Sequence, residues 1–486
     1  MTKRNFAAVI AFGLLATVAF AQEGKDASAV LHKAATAMGA ANLNSVQFSA
    51  SGKAASLGQS YLPTVAWPTL NVTSYTRTID YPSQCSREEM VRTLEDPPAK
   101  GGGAPFAGEQ KQVNILCGAY AWNQPGNAAQ PAPGNVEERQ LGLVMTPQGF
   151  VKQALISNAT AKKGKGGTEV SITAVGRLNV VGTIDGQGLL TKVESWMANP
   201  VLGDMLFETD YSDYKDFGGV KFPTHIVQKQ GGYMVLDLNV SDVKPNVGNA
   251  AIKVPDAIQT AAAPPVRVES QKMADGVWFL GGGSHNSVLI EYKDFLAVVE
   301  APLSEERSLA VIGEVKRLVP NKPIKYLVNT HHHWDHSSGI RTYVDEGATI
   351  ITSEVNKPYY ETAWKAPRTL SPDNLARSSK KASFITVKDK YDLTDGTRTL
   401  VLYHTDGDNH NGAILFGYMP AEKILIEADD FTPPAPNGPG LVPLAAQFGN
   451  NLYENIQRLK LDIQTIAPLH GRVVPYTEMP KALGKG

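Results

Sequence analysis

Apolar and polar positions keep two different rhythms along the 486-residue chain. In Asp26–Met38 the side chains of Val30, Leu31, Ala34 and Ala35 recur at helical spacing, which gathers them on one face. The segments Glu169–Thr173, Leu189–Trp196, His225–Gln230 and Tyr233–Val240 alternate instead, the period of a strand with one buried face. Residues 22–248 are therefore predicted as a domain built on a large antiparallel sheet with one or more helices. Pro97–Glu109 and Asn123–Asn135, rich in Gly and Pro, read as surface loops without chemistry of their own. Over 249–265 the pattern lapses, and Ala261–Pro265 reads as a linker. From 266 to 486 strands at Val277–Leu280, Ser287–Glu291, Phe295–Val299 and Ile324–Val328 mix with a helix starting at Ser304, whose hydroxyl suits an N-cap followed by Glu305 and Glu306. The mixture continues through Ala348–Thr352, Glu354–Trp364, Thr399–Tyr403, Ala413–Met419, Lys423–Ala428 and Asn451–Leu459. It predicts a layered α/β domain with loops at the strand ends.

Composition narrows the partners. Lys plus Arg (46) balance Asp plus Glu (47), leaving a net charge of −1 and no global field to hold nucleic acid or anionic lipid. Lys3 and Arg4 precede an apolar stretch, Phe6–Phe20, and Ala19 and Ala21 flank Phe20. This is the pattern of a secretory signal peptide over 1–21, cleaved after Ala21, and it is too short for a spanning helix. The expected location is periplasmic or secreted, with no transmembrane segment after cleavage. Export permits a disulfide between the only two cysteines, Cys85 and Cys117; two separate thiols are the alternative.

Chemistry concentrates in the second half, where seven of ten histidines follow residue 330. Asn329–Gly339 reads N-T-H-H-H-W-D-H-S-S-G and contains H-x-H-x-D-H as His331, His333, Asp335 and His336. Just past a strand end, residues two apart point to one side, so His331 and His333 converge on one ion while Asp335 and His336, at a helix start, turn toward a second. Imidazole and carboxylate without thiolate suit zinc, with iron or manganese also accepted. Further ligands come from other strand ends: His410 in D-N-H-N-G, Asp429 after Lys423–Ala428, and His470 in P-L-H-G-R. His331, His333 and His410 then hold one ion, Asp335, His336 and His470 the other, and Asp429 bridges.

In that order these residues resemble the metallo-β-lactamase fold hydrolases, over about 266–480. The resemblance implies an αββα sandwich with the metals at one edge. His404, in H-T-D-G-D, matches the family's third-ligand run by its letters, whereas the interval from His410 to Pro420 matches by spacing; His410 is preferred, leaving His404 beside the ligands or on the substrate side. Asp429 is preferred over Asp430 because Ala-Asp stands where the family has Gly-Asp. Glu300 occupies a position usually held by Asp and is expected to alter only loop support. His285 and Asn286, on a glycine-rich loop, either face the metals or form an ordinary turn. No cysteine lies in this domain, which excludes the cysteine-ligated β-lactamases, and His333 stands where oxygen-reducing di-iron relatives carry a carboxylate.

The expected function is that of an exported binuclear zinc hydrolase, in which a metal-bound hydroxide attacks a small-molecule ester, lactone, thioester, phosphodiester or β-lactam and Asp335 orients it and relays its proton. A second resemblance, thirty residues long, links Tyr211–Val240 (Y-S-D-Y-K-D-F-G-G-V-K-F-P-T-H-I onward) to periplasmic lipoprotein-carrier folds. It implies the rival reading, a periplasmic protein whose first domain binds an apolar ligand beside a structural or inactive metal domain.

Overall fold

A computed structural model describes residues 27–248, 252–262 and 265–485. The signal-peptide reading and parts of the linker lie outside the described residues.

The first half is one antiparallel sheet, thirteen-stranded among the described residues. The chain steps outward from Ser45–Ala55 to Gln130–Pro131, then inward from Thr160–Lys163 to Tyr233–Pro245, and the first and last strands pair at the centre with Val46 opposite Pro245. Gly203–Asp216 shows why it folds this way: Met205, Phe207, Thr209 and Tyr211 are buried while the residues between them are not. Such strands need a cover for one face. The helical stretch 27–37 and the helices Val136–Val144 and Pro147–Leu155 provide it, sharing a cluster in which Leu31, Met38, Phe150 and Val151 join Phe48, Tyr75 and Phe222 from the sheet. Each large side chain so buried contributes about 1.5–3 kcal/mol.

Cys85 stands opposite Cys117 on neighbouring strands and is joined to it as a disulfide closing a separation of 32 residues. A loop of that length restricts the unfolded chain enough to stabilise by about 4 kcal/mol. The double variant Cys85→Ala/Cys117→Ala is expected to lower the stability of the first domain by that amount in denaturant titration; an unchanged midpoint would show that the bridge constrains nothing.

Part of the stretch read as linker is seated on this sheet. A short helix, Asp256–Gln259, buries Ile258 against Val113, Ile115 and Trp122, with Ile252 and Val254 alongside.

Among its described residues the second half holds a seven-stranded and a six-stranded sheet, both mixed. In the larger, Leu296–Val299, Ile324–Val328, Thr349–Ser353 and Ser383–Val387 run parallel; in the smaller, Ile424–Glu427 and Thr465–Pro468 do. One apolar cluster takes residues from both sheets, Val288 and Val328 with Leu402 and Ile426 among them. A second joins the larger sheet to Glu305–Leu318 and Ile340–Glu346, and a third joins the smaller to Pro443–Leu459. The Ser304 hydroxyl accepts from Arg307 N at 3.2 Å, capping its helix. The two halves dock where Arg368 reaches the carbonyls of Asn199, Pro200 and Val201 and where Asp204 accepts from Thr369 and Leu370. Among the described residues no helix is long and apolar enough to cross a membrane.

Candidate metal centre

Five strands deliver the site from their carboxyl ends, where backbone groups leave the ladder and loops begin. Leu296–Val299 ends at Glu300, Ile324–Val328 runs into Asn329–His336, Thr399–His404 precedes His410, Ile424–Glu427 precedes Asp429, and Thr465–Pro468 precedes His470. Glu300 and Asp429 both hold left-handed backbone, at φ 78° and 66°. Such a conformation costs a non-glycine residue about 1–3 kcal/mol and persists where the surroundings enforce it. Gly339 sets the turn after His336: a Cβ there would lie 2.0 Å from Ser308 Oγ, so only glycine lets this loop close on the neighbouring helix.

The side chains form two groups of four whose donor atoms lie within 4.8 Å of one another, His331, His333, His410 and Asp429 in one and His285, Asp335, His336 and His470 in the other, with Glu300 meeting His331 and His336 in a smaller third. Asp429 lies between the two groups of four. Its Oδ2 is 3.1 Å from His331 Nε2 and His336 Nε2 and 2.9 Å from His410 Nε2, and its Oδ1 is 2.6 Å from His470 Nε2. Asp335 Oδ2 is 3.2 Å from His285 Nε2.

The donor set fits a metal ion on evidence of its own. His333 Nδ1 is buried without a hydrogen-bond partner, a condition costing about 1–3 kcal/mol unless something binds there, and His331 Nε2 and His410 Nε2 have only the Asp429 carboxylate before them. His336 Nε2 and His470 Nε2 face each other at 3.0 Å, where two imidazole nitrogens need a shared cation or proton. The opposite ring nitrogens are held. His331 Nδ1 meets Thr330 Oγ1 at 3.0 Å, His336 Nδ1 meets Glu300 Oε2 at 3.1 Å, and His333 Nε2 donates to the Ser60 carbonyl at 2.9 Å. Such partners fix the tautomer and aim the free nitrogen.

Electrostatics sort the groups further. Burial pushes the His331 and His333 imidazoles below their ordinary range, which favours the neutral form a metal requires. Burial acts upward on Asp429, yet His336, His470 and His410 outweigh it and hold the carboxyl well below its usual range. Asp335 is likewise kept low against burial, by His336 and the bond from His285.

The remaining sequence-predicted residues separate clearly. His404 lies outside both groups, its ring directed at the Gly412 carbonyl (3.2 Å) and Asp406. Asp430 lies outside as well, its buried carboxyl pushed up by burial and by Asp408. His285, expected on an ordinary turn rather than at the metals, belongs instead to the second group, while Asn286 clamps the His470 loop by donating to the carbonyls of Pro468 and Gly471. Glu300 does more than support a loop, since Thr330, Asn329 and His336 all converge on it. Three residues to which the sequence assigns no role also arrive. His332 is buried between Ser60 Oγ (3.0 Å) and Asn411 (3.2 Å), and Gln59 and Ser60 come from the first domain. Nothing in the letters around Gln59 marks them.

The family model of the metallo-beta-lactamase superfamily matches residues 280–429, which include the first histidine cluster, His410 and Asp429. That stretch belongs to the superfamily; the match does not reach the first domain. Among solved structures the chain is similar to the DIM-1 metallo-beta-lactamase (16% identity, TM-score 0.34, covering 45% of this chain and 95% of that one). It is similar to a metallo-beta-lactamase from Pontibacter korlensis (18%, 0.35, 45% and 98%) and to the flavodiiron protein from Giardia intestinalis (19%, 0.35, 46% and 59%). No curated protein matches the chain.

Proposed function

We propose that the chain is an exported, metal-dependent hydrolase holding two ions, zinc by the chemistry of its donors, and acting on a small-molecule ester, lactone, thioester, phosphodiester or β-lactam. The observation that carries this is Asp429, one carboxylate shared by two imidazole-rich groups. His331, His333 and His410 would hold one ion and Asp335, His336 and His470 the other. When bound, the ions supply a water of lowered pKa and a Lewis acid for the bond under attack. Asp335, with Oδ2 beside His285, would orient the attacking water and relay its proton toward the leaving group. The Phe448 ring, 5.3 Å from the His410 ring, provides an apolar wall. Three apolar clusters, between the sheets and outside each, support reading the domain as an αββα sandwich. The disulfide supports export.

The deciding experiment measures metal per chain alongside turnover of a panel of those substrate classes. About two ions and metal-dependent hydrolysis are expected. His410→Ala is expected to lose one ion and most activity, while His404→Ala keeps both; the opposite pattern would move the third ligand to His404. A second reading, apolar-ligand binding by the first domain, draws on a cavity of about 640 Å³ whose walls include Leu116, Leu143, Val144 and Leu155 together with the polar Gln140 and Lys152.

A further inference from the structure

We infer that the first domain completes the metal site, with Gln59 positioning Asp335 and the Ser60 carbonyl fixing the orientation of His333; the inference rests on the hydrolase reading above. Gln59 Nε2 donates to Asp335 Oδ1 at 2.8 Å, which leaves Oδ2 to His285. The carboxylate is thus gripped from both sides, once by each domain. The Ser60 carbonyl takes the Nε2 proton of His333, so that Nδ1, buried and otherwise unpartnered, is the nitrogen left to bind. His332 secures the same residue: its Nδ1 accepts from Asn411, so its Nε2 carries the proton and donates to Ser60 Oγ.

The approach is built into the backbone. Gly58 O accepts from Trp334 N at 3.2 Å, and a Cβ on Gly58, at φ +74°, would stand 2.5 Å from the Trp334 ring. Trp67 closes edge-on against the same ring at 5.4 Å. On the far side Tyr61 O accepts from Gly412 N and Asn409 O accepts from Gly101 N, so the loop carrying His410 is held as well. The glycine-rich stretch around Gly101, expected to be a bare surface loop, backs this segment through Gly102 N to Gln59 O at 2.9 Å. One short segment of the first domain therefore bonds to two of the loops that carry ligands. An interface serving only to hold two domains together has no need to donate to Asp335; the Arg368 contacts already dock them elsewhere.

The test uses the full-length chain with Gln59→Met, which keeps the volume and removes the donor, and Gln59→Glu, which sets a carboxylate against Asp335. Cobalt(II) is titrated into each metal-free protein, the two binding steps being followed by visible absorption, with thermal midpoints recorded in parallel. Gln59→Met is expected to weaken the second step by about 10–100-fold and leave the first nearly unchanged. Gln59→Glu is expected to weaken it further, with both variants melting near the wild type. Two ions bound by both variants with wild-type affinity and spectra would overturn the positioning role while leaving the hydrolase reading intact. A wild-type chain that binds no metal would remove that reading and this inference together.

Discussion

Asp429→Asn is expected to reduce bound metal from about two ions per chain to one or fewer and to lower kcat/KM by on the order of 10³-fold, about 4 kcal/mol of transition-state stabilisation. Asparagine tolerates left-handed backbone better than most residues, so the φ of 66° at this position should survive and the change isolates the charge. What is lost is the carboxylate that lies within 3.1 Å of four imidazole nitrogens. An amide presents an N–H₂ to one side of that arrangement and a weaker acceptor to the other, so it cannot serve both groups. Elemental analysis with steady-state kinetics decides the matter. Two ions retained, with activity within tenfold of wild type, would mean that the two groups do not depend on a shared anion.

The largest loss of stability is expected from Glu300→Met, about 5 kcal/mol in the metal-free protein. Glu300 is fully buried and accepts from Thr330 Oγ1, Asn329 Nδ2 and His336 Nδ1. Methionine matches its length and offers no comparable acceptor, so three buried donors lose the partner on which they converge. Urea unfolding of the second domain, followed by its tryptophans, measures the effect; a loss below about 1 kcal/mol would show that these donors find other acceptors. Metal binding in the same variant is expected to weaken at His336 first, because its ring loses the bond that aims Nε2.

Local physics made much of this legible. The alternation in Tyr233–Val240 and the apolar run Ile324–Val328 each mark a real strand, because burial on one face or both is written in consecutive letters. The capped start at Ser304 is equally local. The segment Asn451–Leu459 is the end of a longer helix that begins at Pro443, since a proline that ends most helices is tolerated at the first helical position. Around the metal centre, H-x-H-x-D-H was readable because one loop carries four donors. His285 was ambiguous because its partners, Asp335 and His470, come from remote loops. His404 and His410 are told apart by spacing rather than by their neighbouring letters, because the turn at Thr405–Asp408 carries the chain past the strand end before a histidine reaches Asp429. Gln59 and Ser60 had no local signature at all: one acts through a backbone carbonyl, which every residue possesses, and the other reaches a carboxylate 276 residues away.

The pairing of Ser45–Ala55 with Tyr233–Pro245 sets an order of assembly. The first strand made is the last whose inner edge is satisfied, because its partner ends the domain. At a synthesis rate of about 5–20 residues per second, that edge waits roughly 10–40 s for its complement. A contact of such high order forms slowly, since the intervening chain must be closed before the ladder gives anything back. During the wait an unpaired strand with alternating apolar residues is a template for other chains. For this molecule the vulnerable interval is therefore its youth, before the central pair has zipped, and the stability of the finished sheet offers no protection then.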